Sequence, residues 1–203
     1  DMPPLNAANL EVDNALNADP TSLFLCGDIR ANEHLALTCL HTVFVREHNH
    51  WANRFALENT HWTDEQIFQM ARKVVGAEIQ VITYEEFLPA LLGANPLPAY
   101  QGFNEAVDPG VDVLFSTAAY RIGHTMVGNQ FLRIGADGNA IPQGHLQVRD
   151  GFFRPELLAG GGGVDPVLRG LAANRMQTVD PHIVNDLRNF LFGPPGAGGF
   201  DLA

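Results

Sequence analysis

Cysteine is nearly absent: Cys26 and Cys39 are the only two in 203 residues. Two cysteines in so long a chain do not make the disulfide framework of a small secreted domain. Cys39 is expected on a helix beyond a turn at Arg30, so a bridge to Cys26 would need unfavourable geometry, and both read as small buried residues. Lysine is scarcer still, with Lys73 alone. Twelve Lys and Arg face 23 Asp and Glu, a formal charge of −11. Such a chain lacks the clustered cations that neutralise phosphate, which excludes nucleic acid as a partner, and it has no polybasic patch for a membrane surface. No apolar run approaches the roughly 20 residues that cross a bilayer. The opening Asp1-Met2-Pro3-Pro4 has neither the basic nor the apolar region of a secretory signal, so the expectation is a removed signal or an internal piece. An Asn-x-Ser/Thr acceptor is also missing, which tilts the reading from an animal secreted protein towards a bacterial one.

The hydrophobic content of 46% is ordinary for a globular protein and supplies a sizeable core. Residues 1–22, with Pro3, Pro4 and several Asn and Asp, read as an irregular arm. Helical periodicity begins after Arg30, where Leu37, Leu40, Phe44, Trp51 and Phe55 form one apolar stripe. Thr63 and Gln66 form a capping box that opens a second helix carrying Ile67, Ala71, Val74, Val75, Ile79 and Ile82. Pro89, Gly93, Pro96 and Pro98 then predict a loop. A further helix is expected over roughly Val113 to Met126. Phe131–Ile134 and Ile141–Val148 flank Asp137-Gly138, the turn signal of a small hairpin. Gly160–Gly163 reads as a flexible connector. Asp165-Pro166 and Asp180-Pro181 each place a capping acid before a proline, and the second of these helices should stop at Gly193 before Pro194-Pro195. The fold class is mainly α with at most a short hairpin.

Arg30, Glu33 and His34 stand at i, i+3 and i+4, which on a helix places all three on one face. A guanidinium there is always charged and can stabilise negative charge as an O–O bond breaks, while the carboxylate can pair with it. The bland reading is a surface pair worth almost nothing, and for His34 an exposed helix histidine. His124 follows Gly123, which removes a side chain where a flat ring could approach, and Arg121 lies one turn back. Taken alone, Gly-His-Thr is an ordinary histidine among eight. His34, His41 and His48 recur every seven residues, but seven helical residues rise about 10.5 Å, too far for one metal ion. Gly160–Gly163 lacks the Lys-Ser/Thr of a phosphate loop, and Gly135–Gly138 lacks the ligand ladder of a calcium loop.

Gly27-Asp28-Ile29-Arg30-Ala31-Asn32-Glu33, running into Leu40-His41-Thr42-Val43-Phe44-Val45-Arg46-Glu47-His48-Asn49, and Tyr120-Arg121-Ile122-Gly123-His124-Thr125, about ninety residues on, together resemble the animal-type haem peroxidase family. Val75–Tyr84, Phe87-Leu88-Pro89, Gly163–Leu171 and Asp186–Phe192 extend the resemblance over most of the chain from about Leu23. It implies that Arg30 is catalytic and that Glu33 is linked by an ester to a b-type haem. It also implies that His124 is the proximal iron ligand and that Arg121 meets a haem propionate. His34 stands where myeloperoxidase has a methionine, and imidazole cannot form that residue's sulfonium link. The distal histidine and calcium ligands of the family are not found in residues 1–29, and Phe200–Ala203 resembles the start of the segment carrying the asparagine partner of the proximal histidine. Residues 23–203 are therefore expected to be the central part of a longer peroxidase domain, a weak catalyst in isolation and partnered by the remainder of that domain. The implied reaction reduces hydrogen peroxide and oxidises a halide or small organic donor, in a secreted or extracellular setting. Two alternatives stay open: a fatty-acid dioxygenase of the same superfamily, which needs a radical-bearing tyrosine, and a degenerate adhesion or assembly domain, which has no need of the Arg30, Glu33 and His124 trio.

Overall fold

The structure, a computed structural model, describes residues 2–194; Pro195 and the stretch Phe200–Ala203 lie outside the described residues. Seven α-helices and one two-stranded sheet follow in the described part of the chain: α1 Leu35–Glu58, α2 Asp64–Val81, α3 Leu88–Leu92, α4 Val113–Thr117, β1 Gln130–Phe131, β2 Leu146–Gln147, α5 Glu156–Gly160, α6 Asp165–Ala173 and α7 Asn185–Arg188. The mainly helical class is thus as the pattern predicts. Contacts divide the chain into two compact units, Asp1–Val43 with Val111–Ala203, and Phe44–Gly110.

In the first unit, residues 2–34 contain no long element, yet buried amides hold them in place. Asn6 accepts the Leu10 N–H and donates to the Leu10 carbonyl, both at 2.9 Å. Asn32 does the same for Phe24, at 2.8 and 2.7 Å. Each amide replaces a missing strand partner, so these buried backbone groups are satisfied without a sheet. Leu5 also bridges Phe24 in antiparallel fashion. The core gathers Phe24, Leu35, Ala36, Cys39, Leu158, Val164 and Val167, and a second cluster holds Val148, Phe152, Phe153 and Leu187. Cys39 is buried and Cys26 half-buried.

The buried face of α1 differs from the predicted stripe. Leu35, Ala36, Thr38, Cys39 and Thr42 are buried, whereas Leu40 is 45% exposed. Apart from Leu35 the inward residues are small or hydroxylated, and the hydroxyls turn back on the chain: Thr38 Oγ1 donates to the Ala31 carbonyl and Thr42 Oγ1 to the Thr38 carbonyl, each at 2.8 Å. Threonine hidden in this way behaves as an apolar residue, which a hydrophobic count misses.

The hairpin is present: β1 and β2 pair antiparallel with Gln130 opposite Gln147, and Asp137 Oδ1 accepts the Asn139 N–H in the turn. Gly160–Gly163 is not a loose connector. Gly160 closes α5, Gly162 and Gly163 take φ of +85° and +83°, and the Gly163 N–H donates to the Leu158 carbonyl. Asp165 lies inside α6 with Val164 as cap. Asp180 accepts the His182 N–H at 2.7 Å, a local turn, and helix is confined to α7. The helix expected over 113–126 is broken at Ala118 (φ −127°, ψ −68°), where α4 passes into a 3₁₀ helix over Ala119–Met126.

In the second unit the capping box forms as predicted, with Thr63 and Gln66 exchanging hydrogen bonds. Ala71 and Val75 are the buried residues of α2, and Ile79 and Ile82 are exposed. Trp51 stacks on Phe55 with centroids 5.7 Å apart, and its indole N–H donates to Glu78 at 3.1 Å. The His48 Nε2 lies 3.2 Å from the Phe68 carbonyl. Helix does not stop at Pro89: a π-helix over Ile82–Phe87 leads into α3, and the break comes at Gly93, φ +93°. The wider π turn accommodates the proline, whose missing N–H and bulky ring would otherwise disrupt the α register.

Candidate functional site

Arg30, Glu33, Arg121 and His124 all belong to the first unit. Residues 28–33 are a turn rather than the start of a helix: the Ala31 N–H donates to the Asp28 carbonyl and the Glu33 N–H to the Arg30 carbonyl. The single helical face predicted for Arg30, Glu33 and His34 is therefore corrected, since α1 begins only at Leu35. Asp28, not Glu33, takes the arginine. Its Oδ1 accepts from the Arg30 backbone N–H at 2.9 Å and from Nε at 3.0 Å, and its Oδ2 from Nη2 at 2.7 Å. One carboxylate thus binds both the backbone and the side chain of Arg30, and those bonds hold its carboxyl far below the usual range. The Arg30 side chain is 65% exposed, so the grip fixes orientation more than it contributes to stability. Asp-x-Arg is a turn spacing, the signal that could have found Asp28.

Glu33 is partly buried. Burial raises its pKa and Asp13 adds to the rise, while Arg30 and then Arg121 oppose it. The carboxyl therefore sits in a field shared with both arginines. Arg121 also acts on His124, whose pKa is lowered first by burial and second by that cation. The structure thereby links Arg30, Glu33, Arg121 and His124 electrostatically. His34 does not join them. Its ring packs between Phe131 and Phe152, with centroids 4.4 and 4.9 Å away, and burial lowers its pKa to about 4. The exposed helix histidine expected there is instead turned inward between those two rings.

Whether these residues suit a haem can be tested on His124. Among the described residues no hydrogen bond engages either of its ring nitrogens, and the cation beside it favours the neutral imidazole that an iron ligand requires. A Cβ at Gly123 would meet no atom within 4 Å, so a flat ring has room there. Arg121 is exposed and free to meet a carboxylate such as a propionate. The donor set fits. A surface cleft of about 710 Å³ in the second unit, lined by Tyr84, Glu85, Pro89, Pro96, Leu97 and Tyr100, contains none of these residues.

The first unit thus holds an arginine-bearing turn, a partly buried carboxyl and, beside a second arginine, an imidazole whose pKa is lowered. The chain belongs to the animal haem peroxidase family, which it matches over residues 1–203. Peroxinectin A of Dictyostelium discoideum is 39% identical over 204 residues, covering 100% of this chain and 37% of that protein. Thyroid peroxidase of Sus scrofa is 44% identical over 186 residues, covering 89% of this chain and 20% of that protein. The solved structure of peroxidase A from Dictyostelium discoideum superposes with a TM-score of 0.93 at 38% identity, covering 100% of this chain and 39% of that one. The chain thus spans less than two fifths of the length of these relatives. None of the three is bacterial, so they give the expected bacterial origin no support. Among the described residues no helix is long and apolar enough to cross a membrane.

Proposed function

We propose that this chain carries the iron-ligating and arginine-bearing part of a haem peroxidase that reduces hydrogen peroxide and oxidises a halide or small organic donor. The observation that carries the reading is His124, whose ring nitrogens have no hydrogen bond among the described residues and whose pKa is lowered by burial and by Arg121, in one compact unit with Arg30 and Glu33. When bound, haem supplies the iron on which the peroxide O–O bond is broken. His124 would hold that iron through a ring nitrogen, and Arg121 would fix a propionate. Arg30, oriented by Asp28, would donate hydrogen bonds to a peroxide oxygen and stabilise its developing charge. An ester at Glu33 would abolish the charge that burial disfavours, which makes this carboxyl a suitable attachment point. The segments supplying the acid–base group and the second-shell partner of His124 would come from the remainder of the peroxidase domain, in a secreted or extracellular protein. Retention of Arg30, Glu33 and His124 in one unit favours this reading over a degenerate adhesion domain.

The test is a haemin titration of the purified chain followed by its absorption spectrum, repeated on His124→Ala. A protein-shifted Soret band that disappears in the variant supports the assignment. A band that survives the substitution overturns it.

A further inference from the structure

The side chain after Glu33, that of His34, is bonded at both ring nitrogens. His34 Nδ1 accepts the Ala36 N–H at 3.1 Å, while the His34 carbonyl accepts the Thr38 N–H at 3.1 Å. The residue is thus the N-cap of α1, with an imidazole nitrogen doing the work usually given to a Ser or Asp oxygen. A nitrogen that accepts a hydrogen bond carries no proton, so the neutral ring holds its proton on Nε2. That nitrogen lies 3.2 Å from the Val148 carbonyl and donates to it across 114 residues of sequence.

The backbone follows the same line. His34 bridges Phe152 in antiparallel fashion, and the Phe153 N–H donates to the carbonyls of both Asn32 and Glu33, at 3.2 and 3.3 Å. Packing leaves the ring no second position: Phe131 and Phe152 flank it, and a Cβ on Gly151 would collide with its Nε2. Glu33 therefore lies in backbone held on both sides to the 148–153 segment.

We infer that His34 is a positioning residue: its neutral imidazole, fastened at Nδ1 to the start of α1 and at Nε2 to the Val148 carbonyl, latches the Arg30–Glu33 turn in place. Its consequence for catalysis rests on the peroxidase reading given above; the latch itself does not. Two substitutions divide its halves. In His34→Asn the amide oxygen reproduces the Nδ1 cap, but the side chain is too short for Val148. In His34→Gln the amide nitrogen reproduces the Nε2 donor and the cap is lost.

The experiment follows the Glu33 carboxyl carbon through an acid titration by NMR in the full chain without haem. If the cross-chain bond positions the turn, Glu33 keeps its raised pKa in His34→Gln and falls towards the ordinary glutamate value in His34→Asn. Equal behaviour of the two variants, or loss only in His34→Gln, overturns the latch and leaves a helix cap alone. Should His34→Asn fail to fold, the long-range ¹H–¹⁵N spectrum of the unaltered chain decides, since a proton on Nδ1 rather than Nε2 is incompatible with both bonds. Haemin binding is read separately through His124→Ala, so failure of the peroxidase reading and failure of the latch are distinguishable.

Discussion

A histidine that needs to be neutral makes stability depend on pH with a definite sign. His34 titrates at about 4 in the folded chain against 6.5 for an unperturbed imidazole. Burial is the main cause, and the bond to Val148 opposes it. Above pH 6.5 the ring is neutral folded or unfolded, and the stabilisation is fully present. Between 6.5 and about 4 the unfolded chain takes up a proton that the folded chain refuses, so stability falls as the pH falls. At about 1.4 kcal/mol per unit the loss attributable to this residue reaches about 3 kcal/mol. Denaturant unfolding of the unaltered chain and of His34→Gln from pH 7 to 4 should show the variant losing less; parallel curves would remove His34 as the cause. Asp28 and Arg30 illustrate a different residue-scale effect, three hydrogen bonds on an exposed pair, where geometry matters and stability gains little.

At the scale of elements, close approach is the controlling feature. In α6, Val167 and Gly170 face inward, and a Cβ on Gly170 would run into the Leu132 carbonyl just beyond β1. Gly170→Ala should therefore destabilise the first unit despite the better helix propensity of alanine, by on the order of 1–3 kcal/mol. Urea unfolding measures this, and unchanged stability would show that α6 can shift off the hairpin without cost. The Thr63–Gln66 box and the Asp137 turn were legible in the sequence, because they rest on neighbours and need nothing beyond three or four residues. The helix ends were less so. Pro89 is tolerated by a π turn and the 113–126 segment changes register at Ala118, outcomes that depend on what each segment packs against.

For the whole molecule, the notable quantity is apolar surface left in solvent. Phe103 is 88% exposed and Leu114 71%, far more than scattered surface hydrophobics require. Since neither residue buries much area, Phe103→Ser and Leu114→Ser should leave the thermal midpoint nearly unchanged and lower the fluorescence of a bound hydrophobic dye such as ANS. A fall in midpoint of several degrees would show that these side chains are packed in solution. The charge of −11 acts at this scale too, opposing self-association.

The sequence by itself determined the mainly helical class, the capping box and the hairpin turn, because those features are carried by residue type and short spacing, and its resemblance to a family across several segments pointed to that family and to Arg30, Glu33, Arg121 and His124 as candidates. Only the tertiary structure decided which way the neighbouring side chains turn. Asp28 rather than Glu33 holds Arg30, His34 faces the Val148 carbonyl rather than solvent, and α1 buries threonines in place of Leu40. Each of these depends on a partner that local spacing does not specify, whether the competing Asp28 carboxylate, the Val148 carbonyl 114 residues away or the core residues packed against the start of α1.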